Sequence, residues 1–443
     1  MKMKIALGFV CIFSALASKS PAQTVDAANP MAGRWIVSGD FYGTPRYYSL
    51  QLEQKGDALS GTLLGTKVLG TVTGSSIHLL GKDGNGNTVE SNGSLQGGAI
   101  TGTIVQTDAT DPAHPATFSF TATLVPKRGT APPQRHEFTP TVFYRQYSAL
   151  NKPALTVAPG DTIHTTTVDA GGSDEKSAKR VAGGNPETGP FYIETAAPGD
   201  TLVVHILHLR LNRDWAGSDD DVVESALNSH LAIKMKDTGK SIRWHLDLDK
   251  GVAYPEKPGE GLAHYTVPLR PMLGCVATAV SPSGAAPGTG DSGFYGGNMD
   301  FNEIAEGSTV YLPVSVPGAL LYVGDGHAVM GDGEINGNAL ETSMDVEFSV
   351  DVIAGKGPGG RRVETPTHII SMGLEGSLDD AFRSATAGMA QWLGDNYKLT
   401  PSEISQVIGT AAEYKVSEVA DRNSGVVLKI SKDRLKTLIS AAK

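Results

Sequence analysis

The sequence predicts a mainly β protein: a β-sandwich or barrel-like core, a small all-β domain before it and an α+β part after it. Three observations carry that prediction. There are 53 glycines in 443 residues, which suits many tight turns because glycine takes positive φ at little cost. Short stretches alternate apolar and polar residues, as at 47–52, the period of a half-buried strand. Helical patterning with capping residues is confined to the last quarter of the chain.

Residues 1–22 read as a signal peptide, with Lys2 and Lys4 ahead of an apolar run at 5–17 and small residues at Ala17 and Ala22. That pattern implies export, periplasmic or secreted. The run is shorter than the roughly 20 residues that span a bilayer, so no stable membrane span is expected. Residues 32–125 form a separate all-β unit. Its punctuation is regular: Gly56, Gly61, Gly65, Gly70, Gly74, Gly81 and the hairpin signal Asp83-Gly84-Asn85-Gly86-Asn87. Meander strands at this spacing predict a small barrel or sandwich. Residues 126–136 are linker-like.

The largest domain spans 137–355. Ala158-Pro159-Gly160-Asp161-Thr162 recurs as Ala197-Pro198-Gly199-Asp200-Thr201, each before an alternating strand, with a looser echo at 305–309. Pro and Gly preset such a turn. In the tail, 356–443, Ser377 is placed to cap a helix carrying Ala381, Phe382, Ala385, Met389 and Trp392 and ending at 394–396. Thr400-Pro401 with Glu403 signals a second helix with a capping box. A strand at 424–430 and a short helix close the chain.

The formal net charge is −10, without basic clusters, which excludes nucleic acid as a partner. Cys11 lies in the signal, leaving Cys275 as a lone thiol without a disulfide partner.

Chemistry concentrates where Asp325, His327, Asp332 and Glu334 fall within ten residues among glycines. In extended backbone, positions i and i+2 share a face, pairing Asp325 with His327 and Asp332 with Glu334. Asn298 and Asp300 sit in another small-residue loop. Carboxylates with imidazole suit a divalent metal such as zinc or manganese. Asp-Gly pairs are also ordinary turn residues, and that reading stays open on composition alone. Cys275 has no paired base in the sequence and reads as a buried thiol. His205 and His208, three apart, point to opposite faces of a strand. His245, Asp247 and Asp249 read as a solvated strand face.

Six further blocks give this cluster a context: 167–172 with Asp169, 184–190 with Asn185, 197–201, 271–274, 296–300 and 324–328, then 331–334 and Glu341. In that order, over about 140–355, they resemble the acetamidase/formamidase family. The resemblance implies hydrolysis of a linear, acetamide- or formamide-like amide to carboxylate and ammonia, on a β-rich homo-oligomer. It also implies a divalent metal, zinc first and manganese or calcium next, held by Asp169, Asp325, His327, Asp332 and Glu334. Catalysis would fall to Glu334, Asp332 and His327, and substrate binding to Asn298, Asp300, Asn185 and Glu341. The chain departs from the family in its signal, its added β domain, an insert at about 211–265, the histidine-free segment 143–148, and Cys275 in place of an aliphatic residue. Two alternatives stand beside this reading: a noncatalytic secreted protein binding a ligand on an amidase-like scaffold, and hydrolysis through Cys275.

Overall fold

A computed structural model describes residues 29–235, 239–282, 284–357 and 359–438; the expected signal at 1–22 lies outside the described residues. Among the described residues, no helix is long and apolar enough to cross a membrane.

The first domain is a barrel. Eight strands, Gly33–Phe41 through Ala116–Leu124, pair antiparallel in chain order. The first then closes on the last, with Trp35 opposite Leu124. Strict alternation drives closure: along Ser76–Lys82, Ile77 and Leu79 turn inward while their neighbours face solvent. The interior is filled by side chains, with Trp35, Leu50, Leu52, Leu79, Ile100 and Ile104 packed in one cluster. A barrel of eight strands is just wide enough for such filling. The barrel interior is therefore a packed core rather than an open cup.

The barrel docks through the turn that the sequence repeats. Asp200 accepts the backbone N–H of Ala197 at 2.9 Å, as Asp161 accepts that of Ala158 at 3.0 Å, and Gly199 and Gly160 take φ of +90° and +98°. Asp200 also pairs with Arg34 of the barrel at 2.7 Å, and Ile36 and Val125 pack on Ala197 beside it.

The core is a sandwich of two large sheets. The strands after the three echoes, Thr162–Thr166, Thr201–Leu211 and Thr309–Pro313, lie in one nine-stranded sheet, where Met344–Ile353 separates the first two. The facing twelve-stranded sheet centres on Met272–Thr278 and Leu321–His327, buried at every position. Ile163, Val204 and Phe348 of one sheet meet Leu273, Val276 and Val323 of the other in one apolar cluster. The insert adds Trp215–Asp219, Ser241–Asp247 and Val252–Pro255 to the edge of the twelve-stranded sheet.

The tail is continuous with the nine-stranded sheet rather than a cap laid over it, because His368–Glu375, Ser424–Ser431 and Glu413–Glu418 extend that sheet. Glu413–Glu418 has no clear strand signal in the sequence. Ser377 caps the helix Leu378–Tyr397, which buries Ala381, Ala385, Met389 and Leu393. Phe382 instead stacks on Tyr414 outside the core, ring centroids 4.4 Å apart. The helix runs past the expected end at 394–396, stopping where Lys398 turns left-handed. Thr400 and Glu403 close the expected capping box on Pro401–Ala411.

Candidate active site

The site is built where the two buried central strands meet short loops. Asp325 and His327 alternate along Leu321–His327. Glu341 opens the two-residue strand Glu341–Thr342, directly opposite His327. Asp300 follows Gly296–Asn298, and Glu334 comes from the loop between His327 and Glu341. Glycine makes the convergence possible. A Cβ at Gly274 would stand 2.4 Å from Asp325 Oδ2 and 2.5 Å from Asp300 Oδ1, and one at Gly324 2.4 Å from Glu187 Oε2.

His327 Nε2 is the centre. It lies 3.1 Å from Glu341 Oε1, 3.4 Å from Asp325 Oδ2, 3.8 Å from Asp300 Oδ1 and 3.9 Å from Glu334 Oε1. His327 and Asp300 are wholly buried, and Asp325 and Glu334 nearly so. Both imidazole nitrogens, both Asp300 oxygens, Asp325 Oδ1 and Glu341 Oε2 lack a hydrogen-bond partner. Four residues here, Asn185, Asp300, Asp325 and Glu334, hold φ between +37° and +52°. That conformation is costly without glycine and collects at functional sites.

The electrostatics follow from that crowding. Burial pushes the Asp300 carboxyl well above its ordinary range, and Glu334 and Asp325 add to the effect. Burial does the same to Glu334 against the opposing pull of His327, and it raises Glu341 to about 7. For His327, burial alone would lower the imidazole, but Glu341 and Asp325 outweigh it and hold it well above its usual value. Among the described residues, these carboxylates have one imidazole and no lysine or arginine within ion-pair distance, so they must stay partly protonated or take up a cation. Asp300, His327 and Glu334 each offer one ligand atom, all within 4.8 Å of one another, as do Asp325, His327 and Glu341. Unpartnered oxygens beside an imidazole nitrogen are the donor set that a divalent metal accepts.

Two expected ligands stand elsewhere. Asp169 is paired with Arg213 at 2.8 Å and accepts the Ser173 N–H, so its charge is already neutralised. The Asp332 side chain is half-exposed and turns to Lys415 at 3.1 Å and to Asn302. The left-handed turn at Glu334 breaks the i, i+2 alternation that the sequence implied for Asp332 and Glu334. Asp300, expected to bind substrate, faces His327 from full burial. Asn298 is nearly buried as well: its Oδ1 accepts Asn185 Nδ2 at 3.0 Å and Cys275 Sγ at 2.9 Å, and its Nδ2 donates to Asp421. Cys275 is raised well above an ordinary thiol by burial and by Glu187, which disfavours a nucleophilic thiolate.

Asn185 and Glu341 reach a cleft of about 450 Å³, which Asp169, Trp215, Gly217 and Asp219 also line. Strands of the insert thus form one wall of the approach. Arg213 and Arg243 stack over the Trp215 ring, 3.7 and 4.1 Å from its centroid.

Sequence reasoning missed Glu187, Glu418 and Asp421. Glu187 is wholly buried with both oxygens unpartnered, and its only signal was its place in the block 184–190. Burial raises Glu418 to about 8 and Asp421 to about 6; both come from a tail stretch without any motif.

The model describing the acetamidase/formamidase family matches residues 262–378, which hold Cys275 to Glu341. An acetamidase of Mycolicibacterium smegmatis is 44% identical over 61 residues, 14% of this chain and 15% of that protein. The chain thus matches only a small part of that curated relative's length. Solved structures extend the likeness. A recombinant predicted acetamidase/formamidase from Thermoanaerobacter tengcongensis superimposes with a TM-score of 0.59 at 27% identity, over 70% of this chain and 99% of that one. An acetamidase from Bacillus halodurans gives 0.57 at 27%, over 68% and 99%. The fold is thus matched over nearly the whole of those two proteins, and the segment similar to the acetamidase/formamidase family carries Cys275, Asn298, Asp300, Asp325, His327, Glu334 and Glu341.

Proposed function

We propose that this protein hydrolyses small linear amides to carboxylate and ammonia, with a divalent cation held by Asp300, His327, Glu334 and Asp325. The observation that carries the reading is the ring of carboxylate oxygens around His327 Nε2, supplied by four residues that, among the described residues, pair with no lysine or arginine. The likeness of residues 262–378 to the acetamidase/formamidase family supports the same reaction. Zinc is the first candidate, with manganese or calcium next, because the donors are one imidazole and several carboxylates. When bound, such a cation supplies charge that polarises an amide carbonyl and acidifies water.

The chain's own residues supply the rest. Glu341 borders the cleft, while Glu334 is turned inward and held by the Ala339 N–H at 3.0 Å. We therefore give proton transfer to Glu341, which takes a proton from water and returns one to the leaving ammonia. Its position near 7 suits both directions of transfer at neutral pH. Asn185 donates to Asp325 Oδ2 at 3.3 Å, fixing that carboxylate while its own carbonyl is left for a substrate N–H. His327 stays protonated or bound, as its surroundings demand.

Export to the periplasm or medium is part of this proposal and rests on residues 1–22. The homo-oligomer is likewise an expectation from the family, to be read by light scattering. The decisive experiment is ammonia release from formamide, acetamide and larger amides, before and after chelation and after return of zinc or manganese. Turnover lost on chelation and restored by metal is the expected result. A protein inert to all of them in both states would favour the ligand-binding alternative.

A further inference from the structure

Asp300 faces a second group of acids. One carboxylate oxygen each of Asp300, Glu418 and Asp421 lies within 4.8 Å of the others. Glu418 ends the strand Glu413–Glu418 and is wholly buried, with Oε1 unpartnered. Its Oε2 accepts the Asp421 backbone N–H at 3.2 Å, which aims the loop carboxylate inward. The parallel bridge between Gly333 and Glu418 pins this segment to the loop that supplies Glu334. Among the described residues, no lysine or arginine pairs with any of the three acids. Both Asp300 oxygens are buried without a partner, although it is shared by the group containing His327 and by this one. A buried carboxylate with two open oxygens between two donor sets is placed to serve each with one oxygen.

We infer that Asp300 bridges two cation positions, one formed with His327 and Glu334 and a second, oxygen-only position formed with Glu418 and Asp421. The inference rests on the cation proposed above for the first position. Oxygen-only donors suit a hard divalent ion such as manganese or calcium, whereas the imidazole position also suits zinc. A shared carboxylate fits the separation of roughly 3.5–4 Å found in two-metal hydrolytic sites. The second position is built from residues that do not line the cleft of Asn185, Trp215 and Glu341. It would therefore tune and hold Asp300 rather than meet substrate first.

The test counts ions. Full-length protein is stripped with chelator, reloaded with Mn²⁺, freed of excess and measured by elemental analysis and electron paramagnetic resonance. Two ions per chain with a spin-coupled signal are expected. Glu418→Gln and Asp421→Asn should each bring the count to one and remove the coupling. Asp421→Asn carries the test if Glu418→Gln fails to fold, since Asp421 sits on an exposed loop. One ion or none in the unaltered protein, or two coupled ions persisting in every folded variant, would overturn the inference. Two ions without amide turnover would leave it standing and sink the hydrolase reading; turnover with a single ion would do the reverse.

Discussion

Glu341 Oε1 sits 3.1 Å from His327 Nε2, and strand pairing puts it there, since the two residues are directly opposed across adjacent antiparallel strands. The shortest contact of the cluster is thus fixed by backbone hydrogen bonding rather than by loop conformation. It is also the contact nearest the cleft.

Glu341→Gln is expected to lower kcat by about 10²–10⁴-fold, the usual worth of a positioned proton carrier, while circular dichroism and melting temperature stay near those of the parent. Steady-state kinetics on acetamide would check it. An unchanged kcat would remove Glu341 from proton transfer and return that role to Glu334.

The metal-free protein should lose stability as pH rises. Burial lifts Glu341 to about 7 and Glu418 to about 8, each from an ordinary 4.5. A raised native value means that the folded chain binds more protons than the unfolded one between those limits, so its advantage is complete below about 4.5 and declines as pH climbs to about 8. With cation bound, the sign should invert, because ligands must be deprotonated to bind. Thermal melts at pH 5, 6, 7 and 8, in chelator and in Mn²⁺, should diverge with pH. Glu418→Gln should flatten the metal-free slope.

Gly274→Ala would thrust a methyl group within 2.4–2.5 Å of Asp325 and Asp300 oxygens. We expect cation affinity to drop by about 10–100-fold, as when supporting groups of a metal site are disturbed, with the fold retained. Calorimetric titration of stripped protein would measure the loss. Parental affinity would show that the two carboxylates need not sit so close.

Arg213→Met should destabilise the protein by about 3–5 kcal/mol, because it leaves Asp169 buried without its partner. The Arg213 side chain is only 2% exposed at this ion pair and also donates to Thr342 and the Trp215 carbonyl. Arg213→Met combined with Asp169→Leu should recover part of the loss. Denaturant unfolding of the single and double variants gives both numbers.

Much of the architecture could be read from local pattern. The glycine-punctuated run 32–125 is a barrel because its alternation has a fixed inward set, and Ser377 and Thr400 cap helices because their oxygens reach the N–H groups that helices leave open. The site was legible only in part. Asp325 and His327, both in the strand Leu321–His327, do meet at 3.4 Å, although Asp325 is itself left-handed. Alternation fails for Asp332, because the left-handed Glu334 rotates the chain between them, and no sequence period encodes that rotation. Asp169 has the residue type of a ligand, but Arg213, 44 positions away, takes it as an ion-pair partner, and only the folded chain brings the two together. Glu418 and Asp421 reach Asp300 through the unforeseen strand Glu413–Glu418, so distance along the chain hid them.

That late strand bears on biosynthesis. The acids around His327 are all in place by residue 341, but the wall behind Asp300 arrives only with residues 418–421, well downstream in the chain. A nascent chain emerging from the ribosome, or one clipped by a protease before residue 418, would hold an incomplete cage around Asp300 even with its sandwich core largely assembled. Maturation of the centre would then wait for the strand Glu413–Glu418 to dock, so that strand acts as its closing clasp.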